Sequence, residues 1–434
     1  MTYDSAIQYI RSVQARGSKP GLSRMRRLME MLGNPQKQLR YVHVVGTNGK
    51  GSFCCMLSNI LRCAGYKTGL FTSPHMIKIN ERMKIDGVDI SDEELSELLE
   101  IVIPKAESMQ DDLPTEFEIM TAIGFIFFAK HKVSIVVLEA GLGGALDSTN
   151  IIDAPELAVV TNIGLDHVSY LGNTFEQIAA TKAMVIKPGC QALFYGQNTE
   201  AQVAIQSRCD EVDVKLTVPD YTRITQPKWD QNGSSFVWSG PRWHISLIGM
   251  HQIYNAVMVL EACRILRGRG WKIDMDTMDQ GLRETYWPGR FEVLQRGQEA
   301  TETTEYRPAV ITDGGHNPQG VAATVRTLQE IYPDNKYVYV MGVMADKDVT
   351  DILNTMLPHA AKVFTVRPHN TRSMDAEELA DKIRAWGAEA IVCDSVADGV
   401  AKAMEYATSL ADNSPVVAIG SLYMYCDVKA CFNK

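Results

Sequence analysis

The sequence lacks any apolar run long enough to cross a bilayer: the longest, residues 119–129, falls well short of the roughly 20 residues a spanning helix needs. Its N-terminus is polar and charged, unlike a secretory signal. It also lacks clustered cysteine. The nine cysteines are scattered, with no Cys-x-x-Cys pair and no His/Cys group at zinc spacing. That excludes a disulfide scaffold or a zinc module and suits a reducing compartment, with Cys54 and Cys55 packed inside a helix. A basic surplus is missing too: 43 Lys and Arg stand against 52 Asp and Glu, a formal charge of -9. No broad cationic surface is left for nucleic acid or an anionic membrane, although local basic pockets remain open. Repeats and low-complexity segments are absent. What remains is the composition of a globular enzyme, 45% hydrophobic, expected to be cytoplasmic and monomeric and long enough for two or three domains.

Apolar β-type runs at 41–45, 67–71, 133–138, 157–161 and 191–194 alternate with helical stretches at 52–64, 91–108, 116–130 and 174–186. That alternation predicts a parallel sheet with helices on both faces. Residues 217–248 change to short alternating runs with a turn at Asn232-Gly233-Ser234, a hairpin-rich appendage on the first domain, followed by helices at 252–267 and 275–285. A polar stretch then precedes strands near 309–312, 336–341, 362–366, 390–392 and 416–419. The expected architecture is α/β: an N-terminal domain over 1–296 with a mostly parallel sheet, a linker or exposed loop at 297–307, and a smaller Rossmann-like α/β domain over 308–434.

The first β run empties into Gly46-Thr47-Asn48-Gly49-Lys50-Gly51-Ser52. A glycine-rich turn between strand and helix leaves backbone N–H groups and a helix N-terminus aimed at one anion. Lys50 would then reach terminal phosphates and Ser52 a magnesium ion. This is a variant P-loop: Val44 stands where the general pattern has its first glycine, and Gly51 separates lysine from serine. An isolated Gly-Lys-Gly-Ser is usually an ordinary loop; the flanking strand and helix favour the cradle.

Three more strands end in polar loops: Thr72-Ser73-Pro74-His75, then Glu139 with Gly141-Leu142-Gly143-Gly144, then Gly164-Leu165-Asp166-His167. Strand ends are where open α/β sheets bind ligands, so these loops are expected to line one cleft with the P-loop. Ser52, Ser73, Glu139 and neutral His167 make a candidate magnesium shell; the bland alternatives are a helix cap for Glu139 and a core histidine for His167. Lys182 sits in an apolar helical segment, where a lysine usually snorkels, but a buried amine of lowered pKa could form a carbamate. In Asp313-Gly314-Gly315-His316-Asn317-Pro318, Asn317 is expected to cap a helix with Pro318 in its first turn, whatever roles Asp313 and His316 have.

In order, the P-loop, Ser73-Pro74-His75, Asn80-Glu81-Arg82, the 139–150 segment, Leu165-Asp166-His167, Lys182-Ala183, His251-Gln252, Trp287-Pro288-Gly289-Arg290, the Asp313 to Pro318 motif and Asp346-Lys347-Asp348 resemble the folylpolyglutamate synthase and dihydrofolate synthase family of Mur-type ATP-dependent amide ligases. The resemblance covers nearly the whole chain. It implies ATP as co-substrate, Mg2+ as cofactor, L-glutamate, and a reduced folate or dihydropteroate whose carboxylate is activated as an acyl phosphate. By the same resemblance, Asn48, Gly49, Lys50, Gly51 and Ser52 hold phosphates, and Asn255, Arg290 and Asp313 contact nucleotide, Asp313 coming from the second domain. Ser73, Glu139 and His167 match metal ligands, Lys182 matches the carbamylated position, and His316 is the candidate on the glutamate side. The pterin end would meet Thr115, Glu116, Phe117 and Glu118, with Phe117 as a stacking face, together with Leu146, Asp147, Ser148 and the loop Lys19, Pro20, Gly21.

The chain departs from the pattern in two places. Bifunctional bacterial members commonly carry arginine where this chain has Ala145, which questions use of dihydropteroate more than chain extension. Thr181 and Met184 replace the glutamate and glycine usual around the carbamylated lysine. The rival readings are a cell-wall Mur ligase, disfavoured by Ser73-Pro74-His75 and the Asp313 motif, a P-loop ATPase switch that makes no amide, and an inactive binding protein. Phosphate release that requires both folate and glutamate would separate the ligase from the last two.

Overall fold

The computed structural model describes residues 1–17, 19–298, 306–345, 347 and 349–432. Much of the stretch expected as a linker, residues 299–305, lies outside the described residues, as do Asp346 and Asp348. The chain forms two compact units, Met1–Arg223 with Tyr254–Thr285, and Ile224–Ile253 with Tyr286–Lys434. No helix among the described residues is long and apolar enough to cross a membrane.

The first unit is built on strands β1 (Tyr41–Val45), β2 (Thr68–Phe71), β3 (Met83–Ile85), β4 (Val88–Asp89), β5 (Ile135–Glu139), β6 (Leu157–Val160), β7 (Gln191–Phe194) and β8 (Leu216–Thr217). Their order is β4-β3-β2-β5-β1-β6-β7-β8. β2 pairs parallel with β5, β5 with β1, β1 with β6, β6 with β7 and β7 with β8; β3 and β4 are antiparallel. Every residue of β1, β2, β5 and β6 is buried, which is why these strands read as continuous apolar runs. β1 lies between β5 and β6 although β2 follows it in sequence, so the winding switches direction here, and the loops after β1, β5 and β6 open together at one end of the sheet.

Helices α1 (Tyr3–Gln14), α2 (Ser23–Met31), α3 (Lys50–Cys63), α4 (Asp92–Ser108) and α5 (Glu116–Lys130) follow. One face of the sheet packs on α5, which is itself covered by α1, α2 and α4, through Ile10, Met25, Leu28, Leu98, Ile123 and Phe125. Buried from several sides, α5 has no single apolar stripe. The sequence alternation anticipates α3, α4 and α5 but not α1 and α2. Further helices α6 (Val168–Leu171), α7 (Phe175–Ala183), α8 (Thr199–Glu211), α9 (Met250–Gly268) and α10 (Met275–Arg283) complete the set up to the second unit.

That unit holds an antiparallel sheet, β11-β10-β9, of β9 (Thr225–Asp230), β10 (Gly233–Val237) and β11 (Arg242–Ile245). Its other sheet runs β12-β13-β17-β14-β15-β16, from β12 (Glu292–Gln295), β13 (Val310–Thr312), β14 (Tyr337–Met341), β15 (Ala360–Thr365), β16 (Ala390–Val392) and β17 (Val416–Ile419). All pairs here are parallel except β12 with β13. Helix α11 (Pro318–Ile331) starts with Asn317 as N-cap and Pro318 in its first turn, as the sequence indicates.

The two units divide the chain differently from the expected 1–296 and 308–434. The hairpin sheet groups with the second unit, because Trp229 packs on that unit's core and Gln231 donates to the Tyr332 hydroxyl at 2.8 Å. β12 pairs with β13, which brings the 286–296 segment across as well. The β9–β10 turn falls one residue earlier than Asn232-Gly233-Ser234: Asp230 Oδ1 accepts the Asn232 amide at 2.7 Å and fixes the turn before Gly233 begins β10.

Candidate active site

Gly46 ends β1 at φ 153°, and a Cβ there would stand 1.8 Å from Thr161 Oγ1, so only glycine fits against β6. Thr47 ties the loop down by donating from its backbone N–H to the Asn162 carbonyl at 2.7 Å, while its hydroxyl accepts the Gly164 amide at 3.0 Å. Gly49, at φ 86°, is the N-cap of α3, and a Cβ there would meet Asn255 Oδ1 at 2.7 Å. The P-loop is therefore a shaped turn at a helix N-terminus, with Asn255 of α9 against its tip. Ser52 is buried in the first turn of α3.

Two lysines converge on this turn. Lys50 Nζ donates to the carbonyls of Gly46 at 3.1 Å and Thr47 at 3.2 Å and lies 4.0 Å from Glu139 Oε1. Lys182, near the end of α7, donates to the same Gly46 carbonyl at 3.0 Å. It does not snorkel: its side chain is 3% exposed. Burial first, and the Lys50 charge second, pull its pKa from the ordinary lysine value down to about 7. Glu139, buried at the end of β5, accepts the Ser73 amide at 3.3 Å. Lys50, Glu139, Ser73 and Lys182 are thus drawn together around the carbonyl end of β1. His167 sits apart in character, an exposed residue at φ 52° that begins α6 and lies 3.9 Å from Asp166.

Of the pterin-side candidates, Thr115, Glu116, Phe117 and Glu118 form the N-terminus of α5. Thr115 is its N-cap: its hydroxyl accepts the Glu118 amide at 3.3 Å, and Glu118 accepts the Thr115 amide at 2.7 Å, a reciprocal capping box. Glu116 pairs with Arg82 at 2.9 Å, and Arg82 Nε donates to His75 Nδ1 at 3.1 Å. Burial, aided by Arg82, pulls the His75 pKa down to about 4, which keeps this ring neutral as an acceptor. The Phe117 ring meets Phe71 edge-on at 6.1 Å and covers Gly141 so closely that a Cβ there would be 2.6 Å from it. Leu146 is exposed, while Asp147 and Ser148 are buried. Asp147 organises its loop by accepting the amides of Leu142 at 2.7 Å and Thr149 at 3.0 Å; Thr149 also donates its hydroxyl to Asp147 and meets His43 Nε2 at 2.8 Å. Burial holds His43 down to about 3, so this central-strand histidine is neutral.

In the second unit, Asp313 Oδ2 accepts the Phe291 amide at 2.8 Å, and Oδ1 accepts both the Gly315 amide and the Thr324 hydroxyl at 2.8 Å. Arg290 lies against the same loop, since a Cβ on Gly314 would meet its Nη1 at 2.5 Å. His316 Nδ1 donates to the Gly314 carbonyl at 2.9 Å, which assigns a proton to Nδ1.

Four residues to which the sequence assigned no individual role shape these sites: Arg24, His43, Arg82 and Thr149. Arg82 and Thr149 belong to singled-out motifs, so their signal was position. Arg24 lies on the unpredicted α2, and nothing in β1 marked His43 as more than a strand residue.

A glycine-rich turn on a doubly wound sheet, followed by a second, mostly parallel α/β unit, is the arrangement expected of a Mur-type ligase. Residues 44–263 match the Mur ligase middle domain and residues 289–422 the Mur ligase glutamate ligase domain. The dihydrofolate synthase/folylpolyglutamate synthase of Bacillus subtilis is 34% identical over 98% of this chain and 98% of its own length. The chain belongs to the dihydrofolate synthase/folylpolyglutamate synthase family and is an ATP-dependent ligase. Among solved structures, the Mycobacterium tuberculosis folylpolyglutamate synthase complexed with ADP and AMPPCP superimposes with a TM-score of 0.89 at 27% identity, covering 100% of this chain and 99% of that one. The E. coli FolC in complex with DHPP and ADP gives 0.81 at 26% identity, covering 99% and 97%.

Proposed function

We propose that this protein joins L-glutamate to the terminal carboxylate of a reduced folate through an acyl phosphate, at the expense of ATP. The observation that carries the reading is the convergence of Lys50 and Lys182 on the Gly46 carbonyl of a glycine-rich turn, with Glu139 beside Lys50 and the Ser73 amide on Glu139. A carboxylate is a poor electrophile. Transfer of the γ-phosphoryl group onto its oxygen gives a good leaving group; the glutamate amine then attacks the carbonyl carbon, and the C–O bond to phosphate breaks to leave an amide and inorganic phosphate.

Asn48, Gly49, Lys50, Gly51 and Ser52 would cradle the phosphates, Lys50 offsetting the charge that crowds between carboxylate and γ-phosphate. Asn255, Arg290 and Asp313 are proposed nucleotide contacts. Asp313's hydrogen bonds to the 291–324 region also give it a part in holding Arg290's loop. The donors Ser52, Ser73 and Glu139 suit a hard cation: Glu139 is a buried carboxylate that lies beside Lys50 and accepts the Ser73 amide, and His167 would join as the fourth ligand. Mg2+ held there would neutralise phosphate charge. Lys182 would carry a carbamate, its buried amine being largely neutral near pH 8. His316 is the proposed residue on the glutamate side, where it would receive the ammonium proton.

For the pterin end, Phe117 is the proposed stacking face, held by Phe71 and Gly141, with Thr115, Glu116, Glu118, Leu146, Asp147, Ser148 and the loop Lys19, Pro20, Gly21 around it. Tetrahydrofolate is the favoured substrate. The loop bearing Ala145 is fixed by its amide to the Thr181 carbonyl at 3.0 Å, so an arginine's fork is missing from a set position. We place the enzyme in the cytoplasm as a monomer. Phosphate release measured with ATP alone, with folate, with glutamate and with both tests the proposal: a ligase needs both, and an ATPase switch turns over without either.

A further inference from the structure

Arg24 is nearly buried, and among its partners are groups from both segments proposed to hold the pterin end, Glu118 and the Lys19 carbonyl. Its Nε donates to both oxygens of Glu118, at 3.2 and 3.1 Å; Nη1 donates to Asp112 at 3.1 Å; Nη2 donates to the Lys19 carbonyl. Glu118 is 2% exposed and simultaneously closes the capping box on Thr115. One carboxylate therefore fixes the start of α5 and the guanidinium, and the guanidinium fixes the carbonyl that leads into Pro20 and Gly21. The other end of this stretch is tied as well, Arg16 donating to the Pro114 carbonyl at 2.8 Å and pairing with Glu107 at 2.7 Å.

Local physics opposes placing this arginine here. It stands in the first turn of α2, where the helix dipole disfavours a cation, on a helix with no acidic residue in that turn and no side-chain cap. A buried Arg–carboxylate pair is also a costly way to gain stability, since desolvation offsets its attraction. What it supplies is geometry: a planar fork with donors in fixed directions can hold three acceptors at once, which a lysine ammonium on a flexible stem cannot reproduce.

We infer that Arg24 is a positioning residue for folate binding, locking the 19–21 loop in register with the Thr115–Glu118 turn so that both meet the pterin end together. It touches no substrate itself. The inference rests on the proposed placement of the pterin end, and the test separates the two.

Steady-state kinetics are compared for the full-length wild type and Arg24→Lys, Asp112→Asn and Phe117→Ala variants, with thermal midpoints alongside. Arg24→Lys keeps the charge and loses the fork; the expected result is a KM for reduced folate raised about tenfold, with kcat and the KM for ATP and glutamate within about twofold of wild type, the pattern of lost ground-state organisation at one substrate. Asp112→Asn weakens one arm and is expected to raise the same KM about two- to threefold. If Arg24→Lys lowers the thermal midpoint yet leaves the folate KM unchanged, or loses kcat with all substrates alike, the arginine is merely structural and the inference fails. Should Arg24→Lys not fold, Asp112→Asn decides: a folate-selective rise supports the inference and an unchanged KM overturns it. A folate KM indifferent to Phe117→Ala would instead remove the pterin placement.

Discussion

Removing the buried amine of Lys182 should cost activity while making the unmodified protein more stable near neutral pH. The pKa of this group falls from the ordinary lysine value to about 7 on folding. Its depressed value means that, above pH 7, the unfolded chain binds more protons than the folded one, so stability rises with pH across the window between about 7 and the unfolded value. Below that window both states are protonated and the burial penalty is fully present. Between pH 6 and 8 a group titrating at about 7 contributes roughly 1.4 kcal/mol of added stability, since one decade of proton binding is worth that much. Lys182→Met, close in volume, lacks this slope. In bicarbonate-free buffer, the difference in denaturation midpoint between wild type and variant should therefore shift in favour of wild type as pH rises from 6 to 8.

The same titration sets reactivity. At pH 8 about nine-tenths of Lys182 is neutral, against well under one-hundredth of an ordinary lysine, so carbon dioxide can be captured with loss of one proton to give a carbamate beside Lys50. Wild-type activity should then rise with bicarbonate, and a carbamate carbon from labelled bicarbonate should appear by NMR and be missing in Lys182→Met. Lys182→Ala should be inactive and recover partly with short carboxylates. Equal pH slopes in wild type and variant, with activity indifferent to bicarbonate, would refute both the burial argument and the modification.

Lys50→Ala is expected to lower kcat by at least about 10²–10³-fold with the thermal midpoint little changed, because the charge facing the transferring phosphoryl group is lost from a turn rather than from the core; near-normal turnover in a folded variant would remove the P-loop assignment. Ala145→Arg should raise dihydropteroate turnover more than tetrahydrofolate turnover, read as the ratio of the two kcat/KM values; comparable values in the wild type would make Ala145 neutral and the enzyme bifunctional. Gly46→Ala forces a methyl into Thr161 at a φ of 153°, and should destabilise by about 1–3 kcal/mol and raise the KM for ATP, seen as a lower thermal midpoint and weaker nucleotide saturation.

The sheet strands were legible because parallel strands buried on both faces show as unbroken apolar runs, and β1, β5 and β6 lie within a residue or two of where the runs place them. The P-loop was legible from its glycines, two of which answer to a close approach, Gly46 to Thr161 and Gly49 to Asn255. Helices α1 and α2 were not. They are short, and α2 carries Arg24 and two further arginines, so its register is set by tertiary contacts with α5 and α4 rather than by propensity. The allegiance of the hairpin sheet was equally hidden, because Gln231 finds its partner, Tyr332, about a hundred residues later and Trp229 packs on a core assembled mostly from later segments. Asp147 and Asp313 read as ligand contacts but also prove to be hubs of loop hydrogen bonds, a role that depends on neighbours no local pattern reveals.

The central claim is that the folate carboxylate is activated by phosphorylation, and the fate of its oxygen tests it. Reduced folate carrying heavy oxygen in its terminal carboxylate is turned over with ATP and glutamate, and the released phosphate is analysed by mass spectrometry. An acyl phosphate predicts one heavy oxygen in each phosphate released per amide formed. Phosphate without the label, or phosphate released where no glutamate is joined, would contradict the account.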